Sequence, residues 1–572
     1  MVICLSEVIF MEGFMRKIYN FINGLEVLHI VGTYEKASEE EEEIYEVINI
    51  HKLKSATPNL KVVNLYGINF VDDSHVEAFS SNCIQSIDKL PDKVLMKIFS
   101  YVPHKEVCRN ARVCKKWRTL SMDPRLWDAV SLRPEVSGLH VHNMELLLSL
   151  INNRFAAALR YIELPMELIT HPVLHELANR CPNLTMMLLD FSTAMQLHDF
   201  NDMQAFPTKL RTMVICLSEV IFMEGFMRKI YNFINGLEVL HIVGTYEKAS
   251  EEEEEIYEVI NIHKLKSATP NLKVVNLYGI NFVDDSHVEA FSSNCIQLEC
   301  LAVNFCAKVT GSSLKILLGR CKKLKCLLMN QCSLQDSLVM EAEWEKSSIQ
   351  ELDITANDLS QECLIDLLCR IPALRWLSAG QIDGFTDQVL KNWMERGNLK
   401  SLIAVDFEMC DNLSEEGLYK FLARVGPSLR GCVLAGIPQV TDTLLSNIMP
   451  ALKNIRILKM GMLLDCANRM QCKISVDQLT DVLARYGPNL ERLEMSWGPD
   501  IVRFSDKSQK AIDTLRVRCL KLKCLVLSDG KYYEVVKANF ERADRLTVVR
   551  TSTNCTISNV YLLNNYKDLV FN

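Results

Sequence analysis

No apolar run among these 572 residues approaches the roughly 18 that a membrane-spanning helix needs. Neither charge sign dominates: 63 Lys plus Arg face 71 Asp plus Glu, a net of -8. That balance removes the electrostatic reason to expect nucleic acid or an anionic membrane as a partner. Met1 to Gly13 lacks a basic flank and carries Glu7 and Glu12 inside its apolar residues, so no secretory signal is read there. The 21 cysteines are therefore expected to stay reduced, in the cytosol, the nucleus or both. The sequons at Asn183, Asn412 and Asn554 then carry no physical consequence. Walker, dinucleotide-fingerprint, nucleophile-elbow and H-E-x-x-H motifs are all missing. Cys295, Cys300 and Cys306 are not spaced as paired zinc ligands. Catalytic residues, a cofactor and a metal are accordingly not expected. What remains is ordinary: 49% hydrophobic and 23% charged residues, a composition that buries a core.

One block occurs twice. Residues 1–85 recur without a change as 213–297. Structural repeats keep their apolar skeleton and let other positions drift, so identity this complete points to a recent partial duplication or a gene-assembly artefact. The copy holds 13 acidic and 6 basic residues, which accounts for nearly all of the chain's acidity. With three strand signals it is close to the minimum that a stacked architecture needs, and it is expected to form an appendage.

From residue 159 a second periodicity dominates. Apolar anchors spaced L-x-x-L-x-L return as Leu159, Ile162, Leu164, as Leu298, Leu301, Val303, and as Leu374, Leu377, Ala379. Most first anchors lie 25 to 28 residues apart, and the last set begins at Leu522. The L-x-L step puts two side chains on one face of a short strand. Helical spacing follows, as in Thr310–Leu318 and Asp411–Leu422. This strand-plus-helix unit resembles the leucine-rich repeat, and Cys306 after its strand resembles the cysteine-containing subtype. The resemblance implies an α/β solenoid, a horseshoe over residues 136–530, with 531–572 as cap or tail. Longer spacings mark insertions, one of them acidic near 247–258 and read as a solvated loop.

Between copy and repeats, residues 86–135 read as short helices. Val94, Leu95, Ile98, Phe99 and Val102 share helical spacing after Leu90-Pro91. Pro103 ends that helix, and Asp123-Pro124 starts another ahead of Leu126-Trp127. With Val113 to Trp117, these features closely resemble the F-box. The resemblance implies a small all-α module docking a Skp-type adaptor, and through it a cullin and a RING protein. Carried onto this chain, it assigns adaptor contact to Leu90, Pro91, Val94, Leu95, Ile98 and Phe99, with Trp117 and Trp127 as contacts or core.

Strand alternation also selects the side chains opposite the anchors. They include Tyr161, Glu163, Asp190, His241, Tyr278, Asn304, Asn330, Glu351, Asp353, Trp376, Asp406, Glu408, Lys459, Arg492 and Glu494. On a concave solenoid wall these face a partner. Tyr278, Asn304, Asn330, Asp353, Trp376, Asp406 and Arg492 are the expected contacts with a protein target, and the mildly acidic wall suits a basic or mixed surface. The expected function is that of a non-catalytic substrate receptor of a Skp–cullin–F-box ubiquitin ligase; the rival is an interaction scaffold or inhibitor outside any ligase.

Overall fold

The computed structural model describes residues 2–4, 27–31, 62–66, 90–134, 139–141, 143–194, 198–218, 223–244, 260–461, 474–496, 514–527 and 548–551. The acidic insertion near 247–258 and most of 531–572 lie outside these residues. Two compact units divide the chain between Leu126 and Trp127.

In the second unit, a 16-stranded parallel sheet runs in chain order from Ala129–Ser131 to Val548–Thr551. Helices alternate with its strands along most of its length, which is a leucine-rich-repeat solenoid. Its registers repeat: Cys300 faces Cys326, which faces Glu351, then Trp376 and Ala404. The anchors Leu298, Leu301, Leu324, Leu327, Leu374 and Leu377 are fully or almost fully buried, as the alternation requires. Each rung is tied to the next by one carbonyl accepting two N–H groups, as Gln350 does from Arg375 (2.6 Å) and Trp376 (2.9 Å).

After each central strand the chain turns through a left-handed residue. Phe305, Gln331, Ala356, Gln381 and Met409 have φ between 51° and 60°, a conformation L side chains adopt at some cost. Their N–H groups offset it by bonding the next rung, as Phe305 does to Asn330 O at 2.8 Å and Met409 to Ala435 O at 2.9 Å. The cysteine that follows donates to the preceding rung: Cys306 to Leu277 O (3.0 Å), Cys332 to Val303 O (3.2 Å), Cys410 to Ala379 O (3.2 Å). Asn357 fills the same place once, its amide reaching Met329 O and Ile354 O at 2.8 Å. Burial pushes the Cys306 and Cys410 thiols up to about 12, so they remain protonated donors at neutral pH.

Helices on the other side are stapled by carboxylates. Asp285 accepts from Thr310 N (2.7 Å), Thr310 Oγ1 (2.8 Å), Gly311 N (3.1 Å), and Ser313 N and Oγ (3.1 and 2.8 Å). Asp387 does the same for Ser414 N at 2.9 Å, and Asp442 for Ser475 N at 2.9 Å. Burial opposes the Asp285 charge, yet the bonds from Thr310 and Ser313 outweigh it and hold the carboxyl below the usual range. Asp285→Asn should therefore lower stability by about 1–3 kcal/mol, read as a shift in denaturant midpoint; an unchanged midpoint would remove the staple from this account. These staples also move helix starts. Helix Leu314–Arg320 begins after the Asp285 contacts, not at Thr310, and Glu415–Val425 begins after its N-cap Ser414, not at Asp411.

The solenoid starts earlier than residue 136. Ala129–Ser131 pairs with Tyr161–Pro165, and Trp127, Val130 and Leu132 are buried like an anchor set. The tryptophan in place of leucine hid this rung. At the other end Val548–Thr551, in the expected cap or tail, pairs with Cys524–Leu527 as a further strand. In the first unit, the strands of the duplicated block form a 3-stranded parallel sheet whose pairing, such as His29 with Asn64, repeats that of His241 with Asn276.

Candidate functional site

In the first unit, helix α1 (Asp92–Phe99) starts after Pro91, α2 (His104–Asn110) after Pro103, and α3 (Lys115–Ser121) at Cys114, whose sulfur accepts from Trp117 N at 3.4 Å. Proline at each of the first two entries suits a position that needs no N–H. Lys116 of α3 clamps the start of α1, donating to Leu90 O at 2.9 Å and lying 3.4 Å from Asp92.

The face shared by Val94, Leu95, Ile98 and Phe99 in the sequence is split by the structure. Leu95 and Phe99 are buried at 0% and 2% exposure, with Phe99 edge-on to the half-buried Trp117 at 5.2 Å. Val94 and Ile98 point outward at 42% and 44%. Trp127 is also buried; it packs near Phe155 (5.8 Å) and under Arg154 (4.9 Å) as part of the first solenoid rung. Leu95 and Phe99 are thus interior, as an amphipathic helix commits one face inward, and Trp127 is interior to its solenoid rung.

Outside, Val94, Ile98 and Tyr101 fall at i, i+4 and i+7, joined by exposed Val113 and Met122. Among the described residues, five large apolar side chains exposed within about thirty residues are a denser group than the exposed apolar side chains of the solenoid. Pro91 is exposed and Leu90 half-buried beside this stripe. Tyr101, with Lys97 over its ring at 4.7 Å, was legible from the same helical spacing, three residues on from Ile98.

On the sheet wall, the structure connects some of the expected residues. Asn304 Oδ1 accepts from Asn330 N at 2.9 Å, and Asp353 Oδ1 from Thr355 N at 3.0 Å, while Thr355 and Ser378 hydroxyls meet at 2.8 Å. Asn304 and Asp353 are each only 8% exposed, and their polar atoms are taken up within the wall itself. Glu163, Asp190 and His241 are buried too. Arg133 seals that end, 2.8 Å from Asp190 and 3.9 Å from Glu163, while Tyr161 and Ser131 donate to Glu163 at 2.5 and 2.6 Å. His241, held neutral by burial that lowers it to about 4, faces Asn276 at 3.2 Å.

Accessible wall remains at half-buried Tyr278, Asn330, Glu351, Trp376, Asp406, Glu408, Lys459, Arg492 and Glu494. Tyr278 stacks near Phe305 at 5.0 Å. Trp376 abuts an apolar patch of Val274, Cys300, Ala302, Cys326 and Leu328. Lys459 pairs with Glu408, and Arg492 is turned to Glu494 on its own strand at 2.7 Å. Glu494 lies in register with Lys459, so Arg492 joins the same charged group as Glu408 and Asp406.

Burial pushes the Asp406 carboxyl up to about 7, with the Glu408 charge adding to it. The folded chain thus holds a proton that the unfolded chain loses near pH 4, so stability falls as pH rises from about 4 to 7 and stays reduced above. Asp406→Asn should raise stability at pH 8 by about 1–2 kcal/mol, discounted for partial exposure, and the gain should vanish at pH 4. An equal gain at both values would contradict the raised carboxyl.

Among the described residues no group of three or more His, Cys, Asp or Glu is placed to hold a metal ion, and no helix is long and apolar enough to cross a membrane.

The fold defines a class: a chain with a small helical module followed by a leucine-rich-repeat solenoid. Residues 87–133 match the F-box-like family, and the chain is similar to F-box/leucine-rich-repeat proteins. It is 27% identical over 140 residues to human F-box/LRR-repeat protein 12, covering 23% of this chain and 40% of the relative. The bovine and mouse proteins of that name match at 27% over 139 residues. The match thus spans less than half the length of these relatives. Among solved structures, the yeast Rad7 and Elc1 complex aligns with a TM-score of 0.38 at 15% identity, covering 76% of this chain and 96% of that one. The Legionella pneumophila leucine-rich-repeat protein LegL7 aligns at 0.33 and 12%, covering 49% and 91%.

Proposed function

We propose that this chain is the substrate-recognition subunit of a Skp–cullin–F-box ubiquitin ligase. The observation that carries the reading is the uncovered apolar stripe of Val94, Ile98, Tyr101, Val113 and Met122 inside the F-box-like segment. Such a stripe is costly in water unless a partner covers it, and a Skp-type adaptor is the partner this family implies. The adaptor links to a cullin and a RING protein, and the repeats hold a protein target on the wall around Trp376 and Asp406. The chain itself makes and breaks no bonds. Its contribution is effective concentration: a tethered target meets the loaded ubiquitin carrier as an intramolecular neighbour. Its place of action is the cytosol, the nucleus or both.

Co-expression with a Skp-type adaptor tests the reading. A stoichiometric complex that survives gel filtration is the expected result. Full-length chain that stays folded and monodisperse while ignoring the adaptor would favour a scaffold instead.

A further inference from the structure

The doubled block leaves one strand edge of this chain without the cover that its twin receives. In the solenoid, strand Val274–Tyr278 is flanked on both sides. On its far side Val274, Val275 and Asn276 face Cys300, Leu301 and Ala302. Lys273 O accepts from Glu299 N at 2.7 Å and Cys300 N at 3.0 Å, and Gly279 N donates to Asn304 O at 2.8 Å. The Tyr278 ring lies 5.0 Å from that of Phe305. All of these partners belong to the rung that begins at Leu298, directly after the block ends at Gln297. In the other copy the chain passes from Gln85 into Ser86 and the helical segment, so no such rung follows. Among the described residues its last strand, Val62–Tyr66, pairs with Val27–Val31 alone.

An unpaired edge presents a row of N–H and C=O groups that another strand can complete. Proteins that keep such an edge solitary place a charge, a proline or a bulge in it. Val62–Tyr66 reads VVNLY, with neither charge nor proline, and its register to the inner neighbour runs without a bulge. Its sequence is also self-complementary. Antiparallel pairing about a two-fold axis at Asn64 sets Val62 of one chain opposite Tyr66 of the other, and Val63 opposite Leu65. A β-branched residue opposite an aromatic one is among the cross-strand pairs that stabilise a sheet. Val63 and Leu65 stand where the block in the solenoid has Val275 and Leu277, anchors that are fully buried there. Val62, Asn64 and Tyr66 are the alternate positions, so changing them spares the anchors.

We propose that the edge of Val62–Tyr66 is a self-association surface, and that its partner is the same strand in a second copy of this chain. Two three-stranded sheets then join edge to edge, and the two-fold axis closes the assembly at a dimer. The strand at the other side of the small sheet, Val2–Cys4, has three residues, and so short an edge is a poor template. The identical strand Val274–Tyr278 takes no part, because Cys300–Ala302 already fills its edge. A five-residue edge makes a small interface, so the dimer is a weak one with a dissociation constant of roughly micromolar order. The inference stands apart from the ligase reading and uses no residue of the adaptor-facing stripe.

Sedimentation velocity of the full chain across a range of concentrations tests the surface. A reversible monomer–dimer equilibrium is the expected result. Asn64→Lys sets two like charges opposite each other at the axis and should weaken dimerisation about fivefold or more. Val62→Lys and Tyr66→Glu should each weaken it when made alone. Made together they should restore it, because each introduced ammonium then faces an introduced carboxylate across the axis. Variants that merely unfolded the block would give no such rescue, so the pair tests the register even if Asn64→Lys perturbs folding. A chain that stays monomeric up to about 100 µM, two orders above the expected constant, would overturn the surface. So would a dimer that Asn64→Lys leaves intact, or single variants whose loss the double variant does not recover.

Discussion

Val94→Glu combined with Ile98→Glu is expected to abolish adaptor capture while leaving the chain folded. Both side chains are more than 40% exposed, and substitutions at such positions usually shift stability by about 0.5 kcal/mol or less. In a complex the same side chains would be covered. Each apolar side chain taken out of water contributes about 1.5–3 kcal/mol, and a buried unpaired carboxylate adds a penalty of its own. The two together amount to a loss of roughly 3–6 kcal/mol, at least a hundredfold in affinity. Leu95→Glu is the necessary contrast. Leu95 is fully buried, so that variant should lose the helical unit's fold and capture together. Circular dichroism beside pull-down separates the two results; capture that persists in folded Val94→Glu/Ile98→Glu chain would refute the assigned docking face.

The second large effect concerns the solenoid core. Trp393, on helix Asp387–Arg396, is buried and stacks on Phe421 with centroids 5.5 Å apart. Phe421 meets Phe407 at 5.7 Å, and Phe407 meets Phe385 at 4.9 Å. This aromatic file crosses successive repeats, so Trp393→Ala opens a cavity between units as well as inside one. The expected loss is about 3–5 kcal/mol. Because a solenoid's stability is close to a sum of unit and neighbour-interface terms, the damage should concentrate in residues 361–425, where amide exchange should rise first. Tyr419→Ala, 45% exposed on the neighbouring helix, should change stability by about 0.5 kcal/mol or less. Equal effects from both variants would mean that the aromatic file is not a structural spine.

The solenoid was legible because its signal is redundant: anchors such as Leu301, Leu327, Leu352 and Leu377 recur at near-constant spacing and all end buried. The rung at Trp127, Val130 and Leu132 escaped because tryptophan stands where leucine was sought. The outward face of the first helix was only half legible. Helical spacing places Leu95 and Phe99 next to Val94 and Ile98, yet it does not say on which side of that pair the interior lies. Trp117 and the other helices decide it. The wall behaves alike: alternation selects Asn304, Asp353 and Trp376 equally, but contact across rungs buries the first two and leaves Trp376 partly open.

Local chemistry along the chain determined the period of the ladder, the presence of a short helical module before it, and which residue types could face outward. Those properties depend on strand alternation and helical spacing, which are set by each segment's own backbone. The stacked structure alone decided which of those outward positions stay open, which thiols and carboxylates become inter-rung fasteners, and where like charges collect. Such properties belong to pairs of residues brought together only when one turn of the solenoid lies against the next, and no single segment contains both members of the pair.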